Sequence, residues 1–219
     1  VSDLVARAAE RYAEEHTSPF SGPIDAAARW TQDNTRWPAM MSGLAEARLL
    51  EVLIVAGGAR NVLEIGTFTG VGTLTMAAAM PADGRVTTLE MDANIAAAAQ
   101  RHFDASEHGG RIALIVGDAL QTIAGLEGPF DLVYMDASKV DYPAYYDAAL
   151  ARLAERGVIV ADNLFLGGAT LDPTDDDAAA TLGMREFADR VQRDAAVHNV
   201  LLTVGDGVML AWRRPPGEH

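Results

Sequence analysis

Four side chains in the middle of the sequence combine hard oxygen donors with one amine. Asp136 and Lys139 stand in Y-M-D-A-S-K, and Asp162 and Asn163 in V-A-D-N. If both runs close neighbouring strands, Asp136, Asp162 and Asn163 bring three oxygens to one place. Such a set suits a hard divalent cation, Mg²⁺ first with Ca²⁺ or Mn²⁺ as alternatives, that keeps positions open for water or substrate. No His or Cys stands nearby, which speaks against zinc. Lys139, three residues past Asp136, can point into the same site. A dication beside it disfavours the ammonium form, and the amine could then take a proton from a metal-bound hydroxyl. Taken singly, the same residues also read as turn or cap positions and a solvent-facing lysine.

A second constellation lies upstream. The run R-N-V-L-E-I-G-T-F-T-G-V-G over 60–72 is a short β-branched stretch that ends in glycines and leads into T-L-T-M-A-A-A-M. Strand, glycine turn and helix N-terminus open a nucleotide-binding α/β unit, in which free helix amides favour an anionic group. Gly66, Gly70 and Gly72 give G-x-x-x-G-x-G, which is not the dinucleotide fingerprint. Glu64 sits inside the strand end, where its charge is costly without a polar partner; a tight turn with a buried, paired Glu is the plainer reading. Glu90 follows at the interval of a ribose-binding carboxylate. Asp118 and Ala119 in V-G-D-A-L stand where a carboxylate or a backbone amide can read an adenine edge. Asp92 reads as a helix cap. Acids at successive strand ends converge on one crevice, and an adenosyl ligand fits it.

These residues need a sheet to position them. Strands are expected over 61–65, 85–90, 112–116, 130–135 and 157–161, with helices near 73–80, 93–104, 119–126 and 142–154 between them. The alternation predicts a parallel sheet with right-handed crossovers. After a helix near 178–195, H-N-V-L-L-T-V and G-V-M-L-A-W-R flank Gly205-Asp206-Gly207 and read as a hairpin. One strand is then antiparallel, a feature that nicotinamide-binding Rossmann domains lack and class I methyltransferases have. Upstream, helices are expected over 1–16 (capped by Ser2 or Asp3), 24–34 and 44–56, a packaging layer that can act as a lid.

The 219 residues fit one α/β domain, 1–219, divided into an N-terminal helical segment (1–58) and a ligand-binding core (59–219). Apolar residues make up 49% without a run able to span a bilayer, so a soluble, cytoplasmic protein with no membrane partner is the default. Cysteine is absent, which removes disulfides, thiolate metal sites and cysteine nucleophiles. A formal charge of −14 argues against a nucleic-acid partner.

The chain resembles the cation-dependent O-methyltransferase family of the caffeoyl-CoA and catechol type. L-E-I-G-T-F-T-G, D-A-S-K-x-x-Y-x-x-Y-Y, A-D-N and V-G-D-G-V match in order between about Trp37 and Arg213. The resemblance implies a class I methyltransferase fold, with a mostly parallel seven-stranded sheet, a C-terminal antiparallel hairpin and helices on both faces. It implies S-adenosylmethionine (SAM) as methyl donor and a divalent metal that binds both oxygens of a vicinal aromatic diol. Ser42, Glu64, Gly66, Thr67, Glu90, Ala119 and Asp136 are then cofactor contacts, with Glu90 on the ribose. Asp136, Asp162 and Asn163 become the metal ligands, Asp136 facing metal and cofactor together, and Lys139 the base. A homodimer is implied as well. Three positions depart from the family pattern. Ser138 replaces an acid common in D-A-D-K. Gly72 stands where a serine often meets the methionine carboxylate, a contact that passes to backbone amides or Thr73. Leu166-Gly167-Gly168 replaces W-N-G, which favours a small free catechol-type acceptor over a coenzyme A ester. Ala169–Asp177 would border the acceptor pocket; Trp30, Trp37, Met40 and Met41 either wall it or simply pack. A non-catalytic SAM-binding protein and, more distantly, a nicotinamide-dependent oxidoreductase are the competing readings; the latter needs G-x-G-x-x-G.

Overall fold

The computed structural model of the protein describes residues 3–172, 174 and 178–215, with side chains from residue 8 onward. The expected cap Ser2, the side chain of Asp3 and part of the 169–177 loop lie outside what is described. Helices α1 (Asp3–Glu15), α2 (Gly22–Asn34) and α3 (Leu44–Gly57) precede the sheet. Then β1 (Asn61–Ile65), α4 (Val71–Ala79), β2 (Arg85–Glu90), α5 (Ala93–Asp104), β3 (Ile112–Val116), α6 (Ala119–Ala124), β4 (Phe130–Met135), α7 (Tyr142–Arg152) and β5 (Leu153–Ala161) alternate. Helix α8 (Ala179–Arg193) leads to β6 (Val197–Leu202) and β7 (Val208–Arg213).

The seven strands run in the order β3-β2-β1-β4-β5-β7-β6. Strands β1 to β5 pair in parallel, and β7 is antiparallel to both β5 and β6, so the hairpin supplies the one reversed strand. The chain winds outward from β1 to β3 and then returns to β4. The crevice between the carboxyl ends of β1 and β4 is therefore the topological switch point, where open α/β sheets take ligands.

Strand alternation divides the core between the two faces. Val62, Val86, Leu132 and Val160 pack under α3 and α4 with Leu50, Ile54 and Met76. Leu63, Leu89, Val133 and Ile159 face α7 and α8, meeting Tyr142, Tyr146, Met184 and Phe187. Helix α2 packs through Ala27 and Ala28 on Val71, Leu74 and Phe103, which carries the N-terminal segment across the start of α4.

Several expected boundaries move. Strand β5 starts at Leu153 rather than Gly157, because Leu153 leaves α7 with extended backbone and pairs with Phe130 ahead of an irregularity in the register. Helix α7 accordingly stops at Arg152. Helix α4 starts at Val71, two residues early, because Gly70 at φ +88° turns the chain as its N-cap. Helix α6 ends at Ala124, with Gly125 as its C-cap.

Candidate functional site

On the α3/α4 face, each central strand is apolar at its start and polar at its carboxyl end. Val62 is followed by Glu64, Val86 by Thr88 and Glu90, Leu132 by Tyr134 and Asp136, and Val160 by Asp162. Period-two alternation thus delivers the polar groups to one edge of one face. Asp136 and Asp162 directly follow β4 and β5, whose parallel pairing sets Met135 beside Ala161.

The four residues singled out for metal and proton chemistry are brought together. The Lys139 Nζ donates to Asp136 Oδ1 at 2.7 Å, to Asn163 Oδ1 at 2.7 Å and to the Tyr142 hydroxyl at 2.9 Å. Asp162, 3% exposed, accepts from the Asn163 N–H through Oδ1 (2.7 Å) and from the Tyr134 hydroxyl through Oδ2 (3.0 Å). Asn163 holds φ +62°, a left-handed conformation that Asn tolerates better than most residues. Burial, then the Asp136 carboxylate, and at longer range Glu46, push the Asp162 carboxyl up from its ordinary range. Burial and the same two aspartates raise the Tyr134 and Tyr142 phenols, so both stay protonated and act as donors.

This donor set fits a hard cation. Asp136 Oδ1 and Asn163 Oδ1 already converge on one positive charge, the Lys139 ammonium, and the buried Asp162 adds a second carboxylate whose charge is otherwise poorly compensated. Among the described residues no cluster of three His, Cys, Asp or Glu side chains forms a metal site, so a cation here would need the Asn163 amide oxygen beside the two carboxylates.

The glycine turn and the strand-end acids form the other half. Gly66, at φ +103°, lies so close to Asp136 that a Cβ would stand 2.0 Å from its carbonyl oxygen. Only glycine lets β1 and β4 approach in this way. Glu90 accepts the Phe68 N–H on Oε2 (2.8 Å) and the Asp92 N–H on Oε1 (2.9 Å), which fixes its carboxylate at the cavity wall. Glu64 is 1% exposed and receives the hydroxyls of Thr73 and Thr88 on Oε2. Burial pushes its carboxyl up to about 8, against the lowering effect of those two donors. The Thr67 hydroxyl is engaged with that of Thr88. Without a side chain at Gly72, Glu64 Oε1 and Ser42 Oγ face the small recess beside Asp136. Asp118 caps α6 through the Gln121 N–H at 2.8 Å, and its neighbours Gly117 and Ala119 line the main cavity instead. Asp92 caps α5, as expected.

One cavity of about 1020 Å³ joins these groups, running from Glu90, Gly117 and Ala119 past Asp136 to Lys139, Asp162 and Asn163. Trp30, Trp37, Met40 and Met41 all line it, so the N-terminal segment does wall the site. Sequence reasoning missed Tyr134, Tyr142, Glu46 and Asp206. Tyr134 and Tyr142 had a signal: Tyr134 lies two residues before Asp136, on the same strand face, and Tyr142 lies one helical step from Lys139. Glu46 and Asp206 enter the cavity from the two ends of the chain; Asp206 had a signal in the V-G-D-G-V turn, and Glu46 had none.

The chain matches the O-methyltransferase family over residues 15–214. It is 35% identical to a catechol O-methyltransferase of Niastella koreensis over 80% of this chain and 82% of that one. It is 40% identical to a catechol O-methyltransferase of Mycobacterium tuberculosis over 72% and 73%. Its fold superposes with a TM-score of 0.86 on the O-methyltransferase TomG of Streptomyces achromogenes in complex with SAM, at 29% identity over 95% and 96% of the two chains. Sequence, fold and the crevice at the switch point agree: the chain belongs to the O-methyltransferase family.

Proposed function

We propose that this protein transfers the methyl group of SAM to one hydroxyl of a small, catechol-like aromatic diol, with a divalent cation at Asp136, Asp162 and Asn163. The observation that carries the reading is the convergence of Asp136 Oδ1 and Asn163 Oδ1 on Lys139 Nζ beside the buried Asp162, in the cavity that Glu90 also lines. The catechol O-methyltransferases among its relatives support the acceptor class, and the SAM held by TomG supports the donor. A homodimer in the cytoplasm completes the proposal.

When bound, SAM supplies a methyl group already activated on a sulfonium, and the cation supplies positive charge that acidifies the diol. Most of the remaining acceleration must come from positioning and charge stabilisation. Glu90 presents a carboxylate with each oxygen anchored by one backbone N–H, which leaves a lone pair on each for the two ribose hydroxyls. Glu64 Oε1 and Ser42 Oγ offer polar contacts to the methionyl end. Lys139 Nζ, in the neutral amine form that a cation beside it would favour, takes the proton of the hydroxyl to be methylated; the deprotonated oxygen then forms its bond to the methyl carbon as the carbon–sulfur bond breaks. Tyr142, donating to the carbonyl oxygens of Met135 and Asp162, holds its own oxygen within reach of Nζ and so fixes where that proton is received. Trp37, Met40 and Leu166 give the cavity an apolar wall for the ring.

The test is methyl transfer from SAM to catechols and matched monophenols, with and without EDTA. Turnover confined to catechols, lost with EDTA and restored by Mg²⁺, is the expected result. EDTA-resistant turnover would reduce Asp136, Asp162 and Asn163 to structural roles, and equal turnover of monophenols would remove the diol requirement.

A further inference from the structure

Glu46 is a carboxylate in the wall of the cavity with no cation assigned to it. It lies in the first turn of α3 and is partly buried. Its side chain crosses from α3 to the turn between β6 and β7, through a gap that two glycines leave. A Cβ on Gly43 would stand 2.3 Å from its Oε2, and a Cβ on Gly205 would stand 1.5 Å from its Oε1. Among the described residues it makes no ion pair. It lines the same cavity as Lys139, Asp162 and Asn163. Asp206, from the same turn as Gly205, adds a second carboxylate there, held by the Gly167 N–H at 2.9 Å. Three cations also line the cavity: Lys139 is bonded to Asp136, the Arg36 guanidinium lies over the Trp37 ring, 5.2 Å from its centroid, and the Arg101 guanidinium lies over the Trp30 ring, 5.8 Å from its centroid.

We infer that Glu46 sets the charge selectivity of the acceptor: diols with a cationic, amine-bearing substituent are preferred over neutral ones, and neutral ones over carboxylates. The inference rests on the reading of the cavity as a diol O-methyltransferase site. A substituent that projects from the ring toward Glu46 and Asp206 meets negative charge in a partly desolvated wall. There an ammonium is attracted, while a second carboxylate is repelled and loses hydration. With Trp37 and Met40 on the same wall, the pocket offers an apolar surface with an acidic margin.

The experiment compares kcat/KM for three 4-substituted catechols of similar size, carrying an aminoethyl, an ethyl and a carboxyethyl group, in wild type and Glu46→Gln. The wild type is expected to favour the amine over the carboxylate by about tenfold or more, the scale of a partly screened charge pair gained in one case and opposed in the other. Glu46→Gln is expected to shrink that ratio several-fold, with any change seen for the ethyl compound shared by all three acceptors, and Glu46→Lys to reverse the order. A purely structural role in starting α3 would alter all three acceptors alike and leave the ratio unmoved; that result overturns the inference. A carboxylate preference in the wild type, as Arg36 on the Trp37 face would produce, overturns it as well. Failure of the neutral ethylcatechol itself to turn over would instead defeat the diol reading on which the inference stands.

Discussion

Two carboxyls and one amine carry the expectations at the residue scale. Replacing Lys139 by Ala removes the proton acceptor, and the turnover number is expected to fall by about 10²- to 10⁴-fold, the usual weight of a positioned base. The pH–rate profile should also flatten near neutrality; a profile of unchanged shape would take Lys139 out of that role. Asp162→Ala is expected to abolish cation-dependent turnover while SAM binding, followed by calorimetry, survives; lost SAM binding with normal metal affinity would reverse the assignment. Glu64 gives a pH signature in the protein free of SAM and metal. Its carboxyl moves from 4.5 to about 8 on folding, so the folded state holds this proton more tightly than the unfolded chain. Stability from this group is complete below about pH 4.5 and is lost as pH rises through 8, by roughly 5 kcal/mol as an upper scale. Glu64→Gln should therefore raise the melting temperature more at pH 9 than at pH 5, and an equal effect at both would mean that Glu64 is already ionised. The residues legible in the sequence were those whose role follows from a strand end: Asp136, Asp162 and Glu90 fell at predicted carboxyl termini. Asp118 satisfied the same rule and yet caps α6, because capping and ligand reading ask for the same residue at the same place. Tyr134 and Tyr142 were hidden because an aromatic in a core segment reads as packing until its hydroxyl is seen to have a partner.

At the scale of elements, local pattern served where one face was buried and failed where tertiary pairing decided. β1 to β4 lie at the residues expected, since each is a short apolar run rich in β-branched or aromatic residues, followed by Gly or Asp after β1, β3 and β4 and by Met91-Asp92 after β2. Strand β5 is expected to be shorter because A-E-R-G interrupts the apolar pattern; the pairing of Leu153 with Phe130 of β4 overrides that interruption. The hairpin is legible from its glycine turn, and its one reversed strand marks the class of fold independently of any site. What no periodicity indicates is how closely β1 and β4 approach at the switch point. Gly66 measures it: an alanine there would have to adopt φ near +103° and place its Cβ against the Asp136 carbonyl. Backbone strain and steric overlap together should cost about 2–4 kcal/mol. Urea unfolding checks this, and a Gly66→Ala variant as stable as wild type would show that the strands can part without penalty. Because the displaced group is the backbone of Asp136, activity should fall further than the lost stability explains.

The molecule as a whole joins an acidic surface to an apolar N-terminal flank. A net charge of −14 favours solubility and repels nucleic acid, and it also opposes self-association unless an apolar contact offsets it. Helix α3 offers such a contact: Val52 and Val55, one helical step apart, are 54% and 66% exposed, and α1 with the exposed Tyr12 lies alongside. The same α3 carries Glu46 at its other end and buries Leu50 and Ile54 against the sheet. A twofold contact through this flank would brace the segment that walls the acceptor side of the cavity. The proposed homodimer should therefore sediment at about twice the 23.2 kDa chain mass. Val55→Glu, which places a charge on the exposed face and leaves the core untouched, should shift it toward monomer. If the N-terminal flank is braced in this way, the monomeric variant should show a raised KM for the acceptor with the KM for SAM nearly unchanged, since Glu90 and the glycine turn sit on the sheet. A wild-type protein that sediments as a monomer would remove the dimer. A dimer indifferent to Val55→Glu would move the contact elsewhere, with the exposed Val200, Leu201 and Trp212 of the β6–β7 edge as the next surface to change.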